Sequence, residues 1–409
     1  MANKHMSLDA LFADIADAIR EKIGDTASIV ADDFPDVIRD SLQIAPPKPY
    51  LTFKSPTSFT LKVNDETKHW DGTLEYSTDT STWSTWDGTT TLSSATSGSK
   101  NVLYLRGTGN TVITGKNYNY RWVLTGSDIA CIGNIENLLD YATVESGTHP
   151  TMTTYCYAFM FYQCTSLIQA PSLPATTLSK GCYDGMFDGC TSLTQAPSLP
   201  STTLVSYCYN YMFSGCTNLT QAPDLPATTL TPYCYSNMFY KCTSLTQAPA
   251  LPATTLASSC YFNMFRYCTN LTKAPALPAT TLASECYSTM FYKCTSLTQA
   301  PSLPATTLTD GCYMFMFEFT AITAIPRIRA TTYATDSCKG MFDDIKTLNV
   351  YSSSGPGHTY GWTAPASTYC SGMFGSDDKE SEWAKLDGSN FPNNGTPTEG
   401  VTYYFATVD

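Results

Sequence analysis

The sequence predicts a multidomain α+β protein, with short N-terminal helices and a β-sandwich followed by a solenoid of period 26 and a polar C-terminal cap. Three observations predict this class. Apolar residues fall at helical spacing near the N-terminus, β-branched and aromatic runs then alternate with turn residues, and one sequence unit recurs from residue 151. The predicted segments are 1–43 (helical attachment or oligomerisation), 44–50 (proline-rich linker), 51–126 (Ig-like sandwich), 127–150 (junction), 151–350 (repeats) and 351–409 (cap).

The composition excludes several classes of partner. The chain has 409 residues, only 14% of them charged, and a net charge of −12, so nucleic acid and anionic membrane surfaces are not expected partners. No apolar run reaches the roughly 18 residues that a membrane span needs. The start, "MANKHMSLDALFADIADAIREK", lacks the apolar core of a signal peptide. We therefore expect the protein to be made and kept in a cytosol, or to be released from one by lysis.

Two short helices are predicted before residue 43. Ser7 is placed as the first N-cap and Gly24 as the stop, and a second helix begins near Asp32 or Asp33 with Pro35 in its first turn. The candidate attachment residues on their apolar faces are Leu8, Leu11, Phe12, Ile15, Ile19, Phe34, Val37 and Ile38. So small a pair cannot bury a core alone, so it should dock on a partner or self-associate, which leaves a homo-oligomer open.

The same segment carries the pattern "LF…DIA.AIREK.G…I.A.DFP..I". It resembles the head of many tail-associated proteins of bacteriophages. That resemblance, over about a tenth of the chain, implies other virion structural proteins as partners.

The region after the linker "IAPPKPY" reads as short strands. Runs such as "LTFKS", "SFTLKV", "GTLEYSTD", "NVLYLRG" and "NYRWVLTG" are separated by turn signals, which is typical of a sandwich. Trp70, Trp83, Trp86 and Trp122 have the chemistry of a sugar site, but core packing explains them more simply.

The repeat unit is C-Y-x-x-M-F-x-x-C-T-S/N-L-T-Q-A-P-x-L-P-A-T-T-L-x-x-x. Such a period indicates stacked units that bury one apolar face on the next. Within one unit Cys234, Met238 and Cys242 lie at the spacing of one face of a two-turn helix. A short strand through Leu245 and Leu251 and an extended return are expected to complete the coil.

Cysteines form two columns at this interval. The first contains Cys156, Cys182, Cys208, Cys234, Cys260, Cys286, Cys312 and Cys338, and the second contains Cys164, Cys190, Cys216, Cys242, Cys268 and Cys294. C-x7-C is not a zinc pair and the array has no histidine, so no metal and no cofactor are predicted. We expect free, buried thiols.

The core "MF..CTSLTQAP.LP" resembles the BspA-type leucine-rich repeats, whose units carry "AF..C.SLT.I..P". The resemblance covers half of the chain and implies a leucine-rich-repeat solenoid. Members of that family are commonly cell-surface or virion proteins that bind host surfaces, so it implies a host-surface glycan or protein as partner. The unit here is longer than usual, and no wall anchor accompanies it.

Positions beside Met–Phe vary between units and are expected to face outward. They supply the candidate ligand-binding residues Phe159, Tyr162, Tyr211, Tyr240, Phe262, Arg266, Tyr267, Tyr292, Lys293 and Phe315. Such aromatic and cationic residues suit glycans or proteins, but the rings could equally shield the layer beneath. A second column, Gln169, Gln195, Gln221, Gln247, Lys273 and Gln299, is interpreted as bonding layer to layer, with recognition of a polymer as the alternative.

Catalytic motifs are lacking, and the acids of the array (Asp184, Asp188, Asp224, Glu285, Asp310, Glu318) are interpreted as isolated, on no common column. We therefore expect no enzyme. The function predicted is a bacteriophage virion structural protein, such as a tail fibre or baseplate component, that displays the repeats for host-surface binding. A BspA-like bacterial surface adhesin is the alternative, and a polysaccharide depolymerase is a further one.

Overall fold

The computed structural model describes residues 50–375 and 383–406. The two predicted N-terminal helices and all the candidate attachment residues from Leu8 to Ile38 lie outside the described residues. No helix in the described part is long and apolar enough to cross a bilayer.

The described chain is mostly sheet and turn, with very few helices. Its strands are β1 (Leu51–Ser55), β2 (Thr60–Val63), β3 (Thr73–Ser77), β4 (Ser84–Thr85), β5 (Leu92–Ser93), β6 (Ala95–Ser97), β7 (Lys100–Thr108), β8 (Trp122–Thr125), β9 (Ile129–Ile132), β10 (Leu167–Gln169), β11 (Asn349–Val350), β12 (Tyr360–Thr363), β13 (Lys385–Leu386), β14 (Ser389–Asn390) and β15 (Thr402–Phe405). The helices are α1 (Asn137–Glu145) and α2 (Ser367–Cys370), and a 3-10 turn covers Tyr118–Tyr120.

Two sheets are formed by the residues before the repeats, together with β10 of the first repeat. One has the order β10-β9-β1-β7-β3-β4, with β6 also paired to β7, and the other has the order β5-β2-β8. β1 is antiparallel to both β7 and β9, and its residues alternate between buried and half-buried because successive side chains point to opposite faces of the sheet. The rings of Phe53 and Trp122, one from each sheet, lie 6.5 Å apart. Each of the five predicted runs contains a strand.

Three of the four tryptophans in this region are core residues. Trp70, Trp86 and Trp122 are at most 3% exposed, so they cannot stack on a sugar from solvent. Trp83 is half-buried, and the guanidinium of Arg106 lies 4.1 Å from its ring centroid. The simpler interpretation, core packing, holds for the three.

The predicted helix within each repeat is wrong. Tyr233, Asn237 and Lys241 have φ values of 59°, 56° and 59°, whereas an α-helix requires negative φ throughout. The backbone is a series of four-residue turns, each closed by a left-handed residue. Because each turn advances four residues, Cys234 and Met238 share one side as they would on a helix. The sequence spacing therefore fits both structures.

Backbone hydrogen bonds show why turns replace the helix. Met238 N–H donates to Tyr235 C=O within its own repeat (3.3 Å), but Phe239 N–H donates to Met264 C=O of the next repeat (3.0 Å). The same alternation recurs throughout the array, as with Phe187 and Met212. A helix would use these N–H groups internally and leave the layers unconnected.

The interior consists of columns in which each side chain packs against the same residue type of the adjacent repeats. Phenylalanine rings stack nearly parallel from Phe161 to Phe374, with neighbouring centroids 5.6 to 6.1 Å apart. A parallel column of tyrosines runs from Tyr157 to Tyr313. The methionines between the two columns, such as Met238, are fully buried. The column of rings therefore extends past residue 350, into the range predicted as a polar cap.

Both ends of the stack are covered. At the first repeat, Trp122 N–H donates to Met160 C=O and the Cys164 thiol donates to Trp122 C=O (3.2 Å), so β8 stands where a preceding repeat would be. At the far end, Phe391 and Phe405 pack on Phe374. The cap thus has a buried aromatic inner side beneath its polar surface.

All sixteen cysteines are free and buried, which was predicted for the fourteen in the two columns and also holds for Cys131 and Cys370. Thiols of the second column donate to a carbonyl of the preceding repeat, for example Cys242 to Phe213 C=O (3.1 Å) and Cys268 to Phe239 C=O (3.0 Å). Burial raises the thiol pKa throughout, to about 12 for Cys182 and about 11 for Cys312. These cysteines act as small packing residues that also connect layers.

Met238→Asp should unfold the array, because a carboxylate would be buried in the fully enclosed methionine column without a partner. We expect a loss of more than about 4 kcal/mol in the free energy of unfolding, measured by chemical denaturation. The control is Ala250→Asp on an exposed position, where the adjacent repeat already has Asp224. Equal stability of the two variants would contradict the inward placement of Met238.

The thiols should be inert in the folded protein, because burial keeps them protonated and enclosed. An aromatic disulfide reagent should titrate none of the sixteen before unfolding and all of them after unfolding in guanidinium. Adding a reductant should leave the melting temperature unchanged. Rapid labelling of the native protein would refute this packing.

Candidate binding surfaces

Variable side chains lie in the turns before and after the Met–Phe pair of each unit. Of the ten predicted ligand-binding residues, Tyr211 is exposed (38%) and the other nine are half-buried. Phe159 and Phe315 lie against glycines of the following repeat, Gly185 and Gly340, where any Cβ would clash with the ring. Those two rings therefore shield the layer beneath.

Five of the predicted residues form one continuous surface with Lys241 and Phe319. We call this surface the aromatic–cationic strip. It consists of Tyr240, Lys241, Arg266, Tyr267, Tyr292, Lys293 and Phe319. Its rings meet edge to face, with centroids 5.8 Å apart for Tyr240–Tyr267, 5.7 Å for Tyr267–Tyr292 and 5.5 Å for Tyr292–Phe319. Tyr162 is separated from the strip by two repeats with Gly189 and Gly215 at the strip positions.

Cations lie over these rings. The Arg266 guanidinium carbon is 4.3 Å from the Tyr292 centroid, and Lys293 Nζ is 4.7 Å from Phe319 and 5.3 Å from Tyr267. Such contacts hold the long side chains in place at the surface. In the described part of the chain, none of the three cations forms an ion pair with a carboxylate. The strip is thus a local positive surface on a chain of net charge −12.

Buried carboxyls lie beside the strip, and the interpretation of the acids as isolated is wrong. Asp188 and Glu318 share one column, and Glu318 lies with Asp343 and Asp344 so that one oxygen of each is within 4.8 Å of the others. The grouping was missed because the last repeat is one residue shorter, which shifts its register.

Desolvation raises the pKa of Glu318 and Asp184, which are buried, and of Asp188, which is half-buried. The pKa is about 8 for Glu318, where Asp343 and Asp344 raise it further, about 6 for Asp188 and about 7 for Asp184. The Asp184 carboxylate accepts a hydrogen bond from Asn210 Nδ2 (2.9 Å), which opposes the shift. Oxygen ligands of this kind suit a hard cation. However, the positive charges of Lys293 and Arg266 already act on Glu318, so they oppose the binding of a metal cation there.

A second surface is formed by the column of six residues interpreted as bonding layer to layer. Gln169, Gln195, Gln221, Gln247, Lys273 and Gln299 are all exposed. Their backbones pair in parallel, as in Gln195↔Gln221 and Gln247↔Lys273. Within residues 50–375 and 383–406, their side chains make no hydrogen bond, so that interpretation of the side chains is wrong.

Clefts lie between adjacent repeats along this column. One of these clefts, of about 620 Å³, is lined by Gln247–Pro252 and by residues of the next repeat between Thr272 and Pro278. Two more, about 310 and 290 Å³, lie over the first three repeats, and the first of them also contacts Ile132 and Gly133 of the sheet region. We call this surface the glutamine trough.

Glu318→Gln should flatten the dependence of stability on pH. The folded protein binds this proton more tightly than the unfolded chain, so stability falls as the pH rises from the ordinary value, 4.5, to about 8. Across that range, the melting temperature of the variant should decline less with rising pH than that of the parent. Below that range, the two melting temperatures should depend on pH in the same way. Glu145→Gln, at an exposed position, is the control. Parallel curves for Glu318→Gln and the parent would contradict the burial of this proton.

Comparison with known proteins identifies the repeats. The BspA type leucine rich repeat region matches in six copies, over residues 136–272, 183–318 and 234–352. No curated protein and no solved structure matches the chain. Because the matched residues run from 136 to 352, more than half of the 409 residues, the protein belongs to the BspA-type leucine-rich repeat family.

Proposed function

We propose that the protein is an adhesin-like repeat protein that attaches to another surface through the aromatic–cationic strip, without catalysis. Repeats of this family are typically binding and adhesion repeats. The observation that carries the proposal is the cluster of three cations that form no salt bridge with a carboxylate in the described chain, held among rings on an otherwise acidic protein. The partner is a cell-surface glycan or protein with negative charge.

The chemistry of the strip supports binding. Aromatic residues and arginine are enriched where interfaces concentrate their energy, because they bury large areas with little loss of conformational freedom. Here the cation–ring contacts have already ordered the side chains, so less conformational entropy is lost when a ligand arrives. The rings present edges, and their faces are partly covered by the cations. We therefore expect the cations to make the main contacts with an anionic group.

The hypothesis of a surface adhesin agrees better with the family match than the hypothesis of a virion appendage does. The virion reading depends on residues 1–43, which resemble tail-associated proteins of bacteriophages and lie outside both the described residues and the matched ones. It predicts that the protein copurifies with phage particles. A bacterial adhesin should instead be recovered from the cell surface, so fractionation with an antibody against residues 151–350 separates the two.

A polysaccharide depolymerase agrees less well with the buried acids. Glycoside cleavage requires two carboxyl groups that flank a bond in an accessible groove. The grouped carboxyls of the repeats, on Glu318, Asp343 and Asp344, are at most 9% exposed. Incubation of a capsule preparation with the protein should release no new reducing ends.

Charge reversal in the strip should weaken attachment. We expect Arg266→Glu with Lys293→Glu to lower binding to target cells at least about tenfold, because it replaces attraction to an anionic partner by repulsion. Binding of the parent should also weaken with added salt. The measurement is retention of labelled protein on cells.

The control is Lys62→Glu with Lys100→Glu, which makes the same change of net charge on the strands β2 and β7. Loss of attachment in both double variants would show that net charge matters and the strip does not. Full attachment of the strip variant, with its melting temperature unchanged, would also contradict the proposal.

A further inference from the structure

The glutamine trough has features that packing does not explain. In the neighbouring column, the Thr220 hydroxyl donates to Thr194 C=O (3.2 Å) and the Thr272 hydroxyl donates to Thr246 C=O (3.4 Å), so threonine already connects the layers. The glutamine amides beside them are exposed and make no hydrogen bond within the described chain. Each amide offers two donors and one acceptor, once per repeat.

The trough is almost uncharged. Its lining consists of Gln, Ala, Pro, Ser, Thr and Leu, together with Ile132 and Gly133 at one end, and its only ionised side chains are Lys273 and Asp224. Alanine and proline form an apolar floor between the rows of amides. A ligand with evenly spaced hydroxyl or amide groups, apolar C–H faces and no net charge complements this surface. The strip, with three cations, has the opposite character.

The spacing of the layers selects a polymer. Rings stacked on successive repeats lie 4.8 Å apart for Tyr207 and Tyr233 and 5.6 to 6.1 Å apart along the phenylalanine column, a range that includes the advance of one pyranose unit along an extended polysaccharide. A peptide lying along the trough would advance about 3.3 Å per residue and lose register with the amides. It could not pair as an added strand either, because the surface runs across the layers and prolines remove N–H donors.

We infer that the glutamine trough binds an uncharged linear glycan along the stack, with one sugar unit per repeat. Amides of Gln195, Gln221 and Gln247 contact its hydroxyl groups, and the Ala–Pro floor contacts its ring C–H groups. This site is distinct from the aromatic–cationic strip. It depends on the proposed function only in that both surfaces serve attachment.

The test is calorimetric titration of the full chain with two uncharged series, cello-oligosaccharides and chito-oligosaccharides of increasing length. In at least one series the affinity should rise with each added sugar until the oligosaccharide spans the glutamine trough. Gln195→Ala, Gln221→Ala and Gln247→Ala should each weaken binding of the longest member roughly fivefold. Gln163→Ala removes the same amide from an exposed position on the turn segment and should leave binding unchanged.

Melting temperatures establish that each variant is folded. The inference is overturned if neither series binds, if affinity does not depend on length, if only acidic glycans or a proline-rich peptide bind, or if the trough variants bind like the control. The variant Arg266→Glu with Lys293→Glu separates this site from the strip. It should lose cell attachment while retaining the oligosaccharide affinity of the parent, and loss of both would overturn the assignment of two sites.

Discussion

In the turn segment of each repeat, every second backbone N–H leaves its own coil and donates to a carbonyl of the next, as Phe239 does to Met264. This sharing fixes the distance and rotation between layers. It requires a left-handed residue at every fourth position, such as Tyr233, Asn237 and Lys241. Once the layers are fixed, phenylalanine, tyrosine, methionine and cysteine have identical neighbours above and below, and a single packing arrangement serves the whole interior.

The same constraint determines where recognition can occur. A side chain pointing inward must match its copies in the adjacent layers, whereas a side chain between two turns meets solvent on one side. The strip at Tyr240–Phe319 and the trough at Gln169–Gln299 both occupy such outer positions. They differ in chemistry: the strip concentrates positive charge among rings, while the trough repeats a neutral amide. A single fold thereby presents two surfaces of different chemistry.

The recurrence of Cys, Met and Phe at an interval of 26 residues correctly predicted that these side chains are buried, because apolar side chains at one place in every unit pack against their copies in the adjacent units. It did not predict the backbone, since a spacing of four suits a helix and a four-residue turn alike. Glycine was the overlooked signal: Gly181, Gly185 and Gly189 occur at that same interval and all have positive φ. The place of Trp122 ahead of the first repeat could not be predicted, because it depends on how distant strands dock. Nor could the grouping of Glu318 with Asp343 and Asp344, where a shortened unit moves two acids beside a third.

The near-constant separation of the rings from Phe161 to Phe374 bears on how such a chain can change over generations. Unequal crossing-over between nearly identical coding units adds or removes one whole coil. Because each coil offers the same upper and lower surface, the severed ends rejoin in register and both terminal covers still fit. The length of the stack and the number of its outer surface positions can therefore change by whole repeats while every intermediate chain still folds.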